Sequence, residues 1–460
     1  MAELSKMDKL ISLCKRRGFI FPSSEIYGGF SAIYDFGPLG VELSNNIKKA
    51  WWRMFIRERE DMVGLDSSIL MSPKIWEASG HVQNFSDPLV DCKKCHQRFR
   101  EDHLLEGASL KPGYDKDKPQ DTKDLKCPEC GGELTESRQF NLMFKTFIGA
   151  MEGSASEAYL RPETAGGIFV NYKNVQQTMR KKLPFGIGQI GKAFRNEITV
   201  ENYIFRVREF EQMEIEYFIK PDNWEKYFEE LLNLMKKWCA FLGLKEANLF
   251  YHEIEEGERA FYSKRTIDVE YTYPFGRGEL YGLAYRTDYD LGRHQKFSGE
   301  DLSYLDPETN ERILPHVIEP SFGLQRTVLA VLAEAFEEVK GGRSTTTESN
   351  KEEEMVLRLP YDLAPVKIAI FPLSKKEPLL TIAEDIAKEL RPFWNVQYDE
   401  TGSVGKRYRR QDEIGTPYCI TVDFDTPNDG KVTVRDRDTM EQERVDVKEL
   451  RNYFQKKLIY

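Results

Sequence analysis

The stretch PFGIGQIGKAFRNEITVENYIFRVREFEQMEIEYF spans residues 184–218. Its segment GIGQIGK, residues 186–192, fits the GxGxxG pattern and nearly fits the phosphate-binding pattern GxxxxGK[ST]. Both patterns need a strand before the glycines and a helix after them, because the phosphates bind at the helix N-terminus. Here a proline precedes the glycines, Ala193 stands where a magnesium-binding hydroxyl is required, and the next residues alternate as in a strand. The sequence therefore predicts a strand, and not a Rossmann or P-loop nucleotide site.

The same stretch predicts two consecutive strands that carry polar side chains on one face. Arg195 and Glu197 share a face of the first strand, since side chains alternate along a strand. One face of the second strand carries Arg206, Arg208, Phe210, Gln212, Glu214 and Glu216, and its other face carries Val207, Met213 and Ile215. An antiparallel pair of these strands fits two interpretations. It is either an exposed, salt-bridged sheet face, or a site where arginines bind phosphate, an aromatic ring stacks on a base and carboxylates hold an ammonium.

Length and composition limit the class of protein. A chain of 460 residues exceeds one hydrophobic core, so two or three domains are expected. The formal charge of −10 argues against a surface that binds nucleic acid everywhere, although it allows local basic patches. No apolar run is long enough to cross a membrane, and charges occupy the start of the chain where a signal peptide is apolar. We expect a cytoplasmic protein with no membrane partner.

A low-complexity tract, GGRSTTTESNKEEE at 341–354, predicts the domain division. It separates a first domain, 1–340, from a linker, 341–355, and a C-terminal module, 356–460. The module alternates strand and helix patterns and is predicted to be a compact α/β domain. Strand patterns occur at 366–373, 395–400, 418–424 and 431–437, and helical patterns occur at 379–391 and 447–458.

The segment 37–61 predicts a long helix with a broad apolar face formed by Trp51, Trp52, Phe55 and Ile56. This face fits either a core helix or an interface between subunits, and the two interpretations are compatible.

Four of the seven cysteines form two CxxC pairs, Cys92 with Cys95 and Cys127 with Cys130. Two such turns supply the four thiolates of a tetrahedral zinc site, whereas the alternative is four unrelated free thiols. We predict a zinc-ribbon-like insertion over 88–138, with a structural Zn²⁺ because no coordination position is left open. The three remaining cysteines are expected to stay free in a reducing compartment, namely Cys14, Cys239 and Cys419.

Three segments resemble the signature motifs of class II aminoacyl-tRNA synthetases. FRNE followed by RVREFEQMEIEYF, within 194–218, resembles the second motif, and GLQR at 323–326 resembles the third. The first motif, a long helix followed by a strand that ends at a proline, fits 41–73 with Pro73 as the closing residue.

Further segments resemble, more specifically, the homodimeric family of glycyl-tRNA synthetases. They are RPETAGGIF at 161–169, ELYGLAYRTDYDL at 279–291 and VIEPSFGLQR at 317–326, and the similarity continues into GSVGKRYRRQDEIGTPYC in the C-terminal module. One departure is Gly166, where this family is expected to have glutamine.

The resemblance implies an α+β fold with an antiparallel class II catalytic sheet flanked by helices, the zinc-ribbon-like insertion and a C-terminal α/β anticodon-binding domain. It also implies a homodimer that uses ATP with Mg²⁺, glycine and tRNA-Gly. The implied reaction activates glycine to glycyl-adenylate and then transfers it to the 3′-terminal ribose of tRNA.

The resemblance also implies roles at the nucleotide. Arg195 is assigned to the α-phosphate, Arg326 to the far end of a bent triphosphate and Glu279 to Mg²⁺. Phe210 is expected to stack on adenine, and Glu197 to accept a hydrogen bond from its amine. The implied ATP-binding set is Arg195, Asn196, Glu197, Phe205, Arg206, Arg208, Phe210, Glu279, Leu280, Gly323 and Arg326.

For glycine, the resemblance implies a pocket of acidic groups that bind the ammonium and leave no room for a methyl group. The implied set is Arg100, Glu163, Phe210, Glu214, Glu319, Ser321 and Gly323.

The basic run at 406–410 is the candidate for tRNA binding, through Lys406, Arg407, Arg409 and Arg410. Its tyrosine and four cations suit RNA, although a solvated helix face has the same composition. Three histidines, His81, His103 and His294, lack metal-ligand spacing and are interpreted as structural or RNA-contacting.

Two other functions fit parts of this sequence. The first is a class II synthetase for another small amino acid such as threonine, proline or serine, which the acidic segments disfavour. The second is a non-catalytic synthetase-like regulator that binds RNA, which the presence of Arg195 and Arg326 disfavours.

Overall fold

The computed structural model describes residues 4–109, 125–150, 157–200, 202–260, 262–340 and 354–458. Most of the linker predicted at 341–355 lies outside these ranges. Within them, no helix combines the length and the apolar composition needed to cross a bilayer. The cysteines are all free of disulfides.

The helices, in chain order, are α1 Lys6–Arg17, α2 Pro38–Trp52, α3 Pro73–Ser79, α4 His81–Asn84, α5 Glu101–Ser109, α6 Ala165–Thr178, α7 Trp224–Phe241, α8 Tyr289–Ser298, α9 Leu324–Ala335, α10 Leu379–Leu390, α11 Val404–Ile414, α12 Thr426–Asp429 and α13 Leu450–Gln455.

The strands of the first domain are β1 Ile20–Pro22, β2 Tyr34–Phe36, β3 Met62–Gly64, β4 Ser86–Asp91, β5 Arg98–Arg100, β6 Arg138–Asn141, β7 Lys145–Phe147, β8 Glu157–Tyr159, β9 Phe185–Phe194, β10 Glu209–Ile219, β11 Leu249–Glu253, β12 Arg265–Tyr273, β13 Gly276–Thr287, β14 Tyr304–Leu305, β15 Arg312–Ile313, β16 His316–Gly323 and β17 Phe336–Val339. They are followed by β18 Glu354–Leu357, β19 Ile368–Pro372, β20 Val396–Tyr398, β21 Tyr418–Val422, β22 Lys431–Asp436 and β23 Gln442–Asp446.

The central sheet of the first domain has the strand order β11-β12-β13-β16-β10-β9-β3. Its neighbours pair antiparallel, except for the edge strand β3, which runs parallel to β9. The glycine-rich segment 186–192 lies within β9 and pairs with β10 along its length, which confirms the predicted strand. The predicted α+β class, built around an antiparallel sheet, is also confirmed.

The alternation predicted for β10 divides this strand between the core and the polar face. Met213 and Ile215 are at most 1% exposed and belong to the same core cluster as Trp51 and Phe55. Burial of these two aromatic side chains confirms that the segment predicted as a long helix packs in the core. The helix is shorter than predicted, because α2 ends at Trp52 and a π-helical turn, Arg53–Arg57, follows it.

The prediction of a strand that ends at Pro73 is wrong. The short strand after α2 is β3, and Pro73 begins α3. The reason is local, because proline suits the first turn of a helix, where its missing N–H has no intrahelical partner. Between these elements, Leu70 makes a single isolated β-bridge to Leu160.

The C-terminal module has its own five-stranded sheet, with the order β20-β19-β21-β22-β23. Every predicted strand and helix of this module is present with small shifts at its ends. The module adds α11, α12 and β23, which the sequence patterns did not predict.

The junction between the two units lies later than the predicted boundary at 356. β18 pairs antiparallel with β17 and so completes a hairpin of the first unit. The buried side chains of Leu357, Leu363 and Val366 belong to the core of the first unit, whereas the core cluster of the module begins at Ile368.

Candidate active site

A cavity of about 510 Å³ lies against the polar face of the central sheet. β10, β13 and β16 contribute lining residues, as does the segment between β11 and β12. The carboxylates of Glu163, Glu214 and Glu319 lie near one another and form its acidic end, whereas the carboxylate of Glu279 lies against Arg326. The residues that line it include Glu163, Arg195, Glu197, Phe205, Arg206, Phe210, Gln212, Glu214, Asp268, Glu279, Leu280, Glu319, Ser321, Gly323 and Arg326.

Glu214 is at the centre of the acidic end. It lies on β10 directly opposite Ser321 of β16 and is 1% exposed. The Ser321 hydroxyl donates to Glu214 Oε1 at 2.9 Å, and the Thr164 hydroxyl donates to its other oxygen. These two hydroxyls fix the carboxylate, since charge-assisted hydrogen bonds are among the strongest in proteins.

Two more carboxylates of the acidic end are each held by one basic group. Glu319, on β16, accepts a hydrogen bond from Arg286 Nη1 at the end of β13. Glu163 lies just before α6, and its Oε2 is 3.3 Å from Nε2 of His81. His81 thus has a position beside the candidate pocket that its sequence context did not indicate.

The carboxyl groups differ in how readily they ionise. Burial raises the pKa of Glu214, and the nearby charge of Glu163 adds to the effect. Burial also raises the pKa of Glu319, to about 8. At Glu163 burial acts in the same direction, but His81 and Arg286 outweigh it and lower the pKa to about 2. Glu163 therefore keeps its negative charge at neutral pH, whereas Glu319 gains a proton as the pH falls below about 8.

Arg195 also lines the cavity, and its charge acts on both Glu163 and Glu279. Its guanidinium carbon lies 5.4 Å from the ring centres of both Phe85 and Phe210, and its Nε donates to the Pro162 carbonyl at 3.1 Å. Two rings and one hydrogen bond therefore orient the guanidinium, while its remaining N–H groups stay available for an anion.

Arg326 lies in the first turn of α9, after Gly323 has connected that helix to β16. Its Nη1 is 3.1 Å from Glu279 Oε2, and its guanidinium carbon is 4.5 Å from the ring centre of Phe205. A cation and a carboxylate thus meet at this wall of the cavity.

Asp268 also lines the cavity, on β12. Burial raises its pKa to about 7, and the charges of Glu279 and Glu270 add to the effect. Carboxylate oxygens are the ligands that Mg²⁺ prefers, so Glu279 and Asp268 fit a magnesium ion that also binds substrate phosphates.

Comparison with known proteins identifies the family. The model of the "tRNA synthetase class II core domain (G, H, P, S and T)" matches residues 147–335, and that of the "Anticodon binding domain" matches 367–457. Three curated relatives are named glycine–tRNA ligase. That of Geobacillus kaustophilus is 53% identical over 99% of both chains, that of Thermobifida fusca 50% over 99% of both, and that of Clostridium perfringens 54% over the full length of both.

The chain belongs to the glycine–tRNA ligase family. This confirms the predicted family and the predicted pairing of a class II core with an anticodon-binding domain.

Most residues that the family resemblance assigned to glycine line the cavity. They are Glu163, Phe210, Glu214, Glu319, Ser321 and Gly323. Arg100 does not line it. Its guanidinium binds Asp87 and Asp102 within the insertion, at 2.9 and 2.6 Å.

The residues assigned to ATP in this glycine–tRNA ligase family member also divide into those that line the cavity and those that do not. Asn196 and Arg208 are the two assigned residues outside the cavity lining. The Asn196 N–H donates to the Leu142 carbonyl, and the Arg208 guanidinium donates to the carbonyls of Ser31 and Glu197. Both therefore connect the loop between β9 and β10 to its surroundings.

Two residues of the acidic end had a usable signal in the sequence. Arg286 and Asp290 lie within ELYGLAYRTDYDL and form a buried two-hydrogen-bond ion pair, at 2.7 and 2.8 Å. Their signal is their position in this segment, which resembles the glycyl-tRNA synthetase family. His81 had no such signal, because its partner Glu163 is remote in sequence.

The four sulfurs of the CxxC pairs come together in the insertion. The Sγ atoms of Cys92 and Cys130 are 3.5 Å apart, and those of Cys95 and Cys127 are 3.6 Å apart. A tetrahedral zinc with bonds of about 2.3 Å requires sulfur separations near ~3.8 Å, so the donor set and its spacing fit Zn²⁺.

The predicted tRNA-binding run lies on α11. The structure corrects the prediction for Arg407, which was expected to contact tRNA. Its side chain is buried and donates to the carbonyls of Pro372 and Gly402 at 2.6 and 3.0 Å. Because these internal acceptors hold the guanidinium, Arg407 braces the domain and does not face RNA. Lys406 is exposed.

The two arginines that follow on α11 lie nearer the surface. Arg409 pairs with Glu354 at 2.9 Å and Arg410 with Asp399 at 2.6 Å, and both side chains remain about one-third exposed. They can exchange these partners for phosphate at modest cost, since exposed ion pairs contribute little to stability.

Proposed function

We propose that this chain is a glycine–tRNA ligase that forms glycyl-adenylate and transfers its glycyl group to the 3′-terminal ribose of tRNA-Gly. One observation carries the proposal: a single cavity is lined both by carboxylates suited to an ammonium and by arginines suited to phosphates. Glycine and ATP need this pairing of opposite charges, because the first carries an ammonium and the second a triphosphate.

The first step joins the glycine carboxylate to the α-phosphorus of ATP. A carboxylate oxygen forms the new P–O bond, and the bond from phosphorus to the pyrophosphate oxygen breaks. The carboxylate is already an anionic nucleophile, so the protein has no proton to remove. Its contribution is to hold both substrates and to stabilise charge at phosphorus.

Arg195 is the residue best situated to stabilise that charge. Its guanidinium is oriented by Phe85 and Phe210 and lines the cavity. Arg326, at the wall formed by α9, is the corresponding candidate for the γ-phosphate. Phe210 can stack on adenine beside Glu197, and Arg206, Phe205, Leu280 and Gly323 complete the nucleotide surface.

Magnesium would be held by Glu279, with Asp268 nearby, and would screen the phosphates and the leaving pyrophosphate. Zinc would be held by the four cysteines of the insertion, where it would support folding and take no part in the reaction.

Selection of glycine rests on the carboxylates and their fixed partners. Glu163, Glu214 and Glu319 surround a small space, and each is held by a hydroxyl or a basic side chain. A methyl group on the substrate would have to displace hydrogen-bonded charges, which costs more than filling a loosely packed apolar pocket.

The second step places the tRNA end at the same cavity, while the C-terminal module binds the anticodon region. Lys406, Arg409 and Arg410 on α11 are the proposed RNA contacts. We further propose a homodimer in the cytoplasm, supported by the family assignment and by free thiols that suit a reducing compartment.

Amino-acid-dependent pyrophosphate exchange across all twenty amino acids tests the proposal. We expect glycine to support exchange at least ~100-fold better than alanine or serine, the upper range for one methylene group. Equal use of alanine, serine or threonine would assign the class II core to another small amino acid. No exchange with any amino acid, together with retained tRNA binding, would favour a non-catalytic RNA-binding regulator.

A further inference from the structure

Three carboxyl groups lie together at the acidic end of the cavity, and only two of them line it. One oxygen each of Glu214, Glu216 and Glu319 lies within 4.8 Å of the other two. Glu216 follows Glu214 by two residues, so both side chains leave the same face of β10. Glu214 and Glu319 line the cavity, whereas Glu216 lies behind them.

Glu216 is the unusual member of this cluster. Its side chain is 0% exposed, and neither carboxyl oxygen accepts a hydrogen bond. A buried carboxylate without donors is costly, because water solvates it in the unfolded chain and nothing replaces that water in the fold. Glu214 and Glu319 differ from it in having donors, the hydroxyls and Arg286 described above.

The surrounding elements supply more negative than positive charge. Arg286 is the basic group common to the cluster, and Asp290 already binds its guanidinium through two hydrogen bonds. The neighbouring strand β9 places the uncharged Ile187 opposite Glu216. Other titratable groups act on the cluster or its neighbours: Glu163 and Arg161 act on Glu214, Tyr262 between β11 and β12 acts on Glu319, and His294 on α8 faces Asp290 and Glu163.

Two closely spaced buried carboxyl groups cannot both remain ionised at neutral pH without a compensating cation. Burial raises the pKa of Glu216 well above its usual range, and the charge of Glu319 adds to the effect. Burial likewise raises the pKa of Glu319 to about 8. A proton is therefore the simplest compensating charge in the absence of substrate.

We propose that Glu216 and Glu319 share a proton in the free protein, and that this proton leaves to solvent when the ammonium of glycine enters the pocket. The proposal rests on the glycine–tRNA ligase function proposed above. Glu216 acts here as a positioning residue, since it reaches the substrate only through Glu214 and Glu319. The acidic end then exchanges the charge of the proton for that of the ammonium, so the net charge at this end is the same with and without glycine.

This exchange gives glycine binding a definite pH dependence. Below about pH 8 the free cluster holds the proton, so glycine must displace it and binds more weakly as the pH falls. Loss of one proton on binding changes the affinity up to ~10-fold per pH unit. Above about pH 8 the free cluster has already lost the proton, and the affinity for glycine becomes independent of this group.

Isothermal titration of glycine into the full-length protein at pH 7 tests the proposal. Buffers of different ionisation enthalpy report the number of protons released. For the wild type we expect up to one proton per glycine, and a KM for glycine in pyrophosphate exchange that falls as the pH rises to about 8.

Glu216→Gln keeps the shape of a neutral carboxyl group but has no proton to share, and its amide N–H can donate to Glu319 and favour the ionised form of that carboxyl group. We expect this variant to bind glycine without proton release and to have a KM for glycine that is independent of pH from 6 to 8. Glu209→Gln is the matched control, because Glu209 lies on the same strand in a partly exposed ion pair with Lys192. It should release protons as the wild type does.

Wild-type glycine binding without proton release would overturn the proposal even if Glu216→Gln fails to fold. Proton release that is unchanged in Glu216→Gln would also overturn it. A KM for glycine that depends on Na⁺ or K⁺ concentration, without proton release, would assign the cluster to a bound cation. In these outcomes glycine-dependent exchange persists and the proposed function stands, whereas absence of glycine-dependent exchange would overturn both.

Discussion

At the scale of single residues, Arg195 is the side chain whose removal separates chemistry from RNA binding. Two rings and a carbonyl orient its guanidinium within the cavity, far along the chain from the RNA-binding candidates on α11. We expect Arg195→Ala to lower kcat/KM for pyrophosphate exchange by about 10²–10³-fold, the usual effect of losing one donor that stabilises transition-state charge. Filter binding should show near-normal retention of tRNA.

Arg312→Ala is a suitable control for Arg195→Ala, because Arg312 makes an exposed ion pair with Asp301 and does not line the cavity. Its exchange kinetics should match the wild type. Equal loss of exchange and of tRNA binding in Arg195→Ala would mean that Arg195 supports the fold instead of the reaction.

At the scale of elements, helix α6 contains the departure from the family pattern. A Cβ atom at Gly166 would lie 2.9 Å from Cζ3 of Trp76, whose side chain is fully buried. The indole therefore occupies the space that a side chain at this position needs. We expect Gly166→Ala to lower the free energy of unfolding by about 1–3 kcal/mol, the usual cost of overpacking, as measured by urea denaturation.

Gly405→Ala provides the matched comparison for Gly166→Ala. Gly405 lies within α11, and a Cβ atom there would meet nothing within 4 Å. Alanine should raise the free energy of unfolding by about 0.5–1 kcal/mol, because it loses less backbone entropy on entering a helix. A neutral or stabilising Gly166→Ala would show that Trp76 moves aside easily.

The insertion has a small apolar core, and metal binding is expected to stabilise it. Its core cluster consists of Val90, Cys92, Cys127 and Leu134. We expect about one zinc per chain by elemental analysis, and Cys130→Ser should lose the metal and make the segment from β4 to β6 sensitive to protease.

Cys239→Ala is the control for the zinc prediction, because Cys239 is buried in α7 and lies outside the cysteine quartet. This variant should keep its zinc. Less than ~0.1 zinc per wild-type chain would contradict the prediction, given the affinity of structural zinc sites.

At the scale of the whole molecule, two cores meet through one packed junction. Ile414, at the end of α11, belongs to the core of the first unit, and Arg17 of α1 contacts Glu413. The exposed start of α11 belongs to the C-terminal module. Substitutions there are expected to alter RNA binding while leaving the catalytic cavity unchanged.

Lys406→Ala tests this division. We expect the KM for tRNA to rise and the slope of log KM against log salt to fall by roughly 0.7–0.9, the effect of one lost phosphate contact. Pyrophosphate exchange should be unchanged. Lys388→Ala, which removes an exposed lysine of α10, is the matched control and should leave both activities intact. A wild-type KM for tRNA in Lys406→Ala would remove Lys406 from the RNA interface.

The sequence by itself predicted the features that depend on neighbouring residues. Alternation along β10 separated Met213 and Ile215 from Glu214 and Glu216, because side-chain direction in a strand follows the two-residue period. The spacing of each CxxC pair predicted that its two sulfurs lie together, because the two intervening residues form a tight turn. In the C-terminal module, helical and strand periodicity located every predicted element to within a few residues.

Which side chains meet across the sheet, and which are buried, followed from the folded chain and not from local sequence patterns. The fold brought His81 to Glu163, put Glu216 behind Glu214 and Glu319, and turned Arg407 into the module. These outcomes depend on strand order, register and the packing of distant elements. Periodicity within one segment assigns a side chain to a face, but the partner that covers that face comes from elsewhere in the chain.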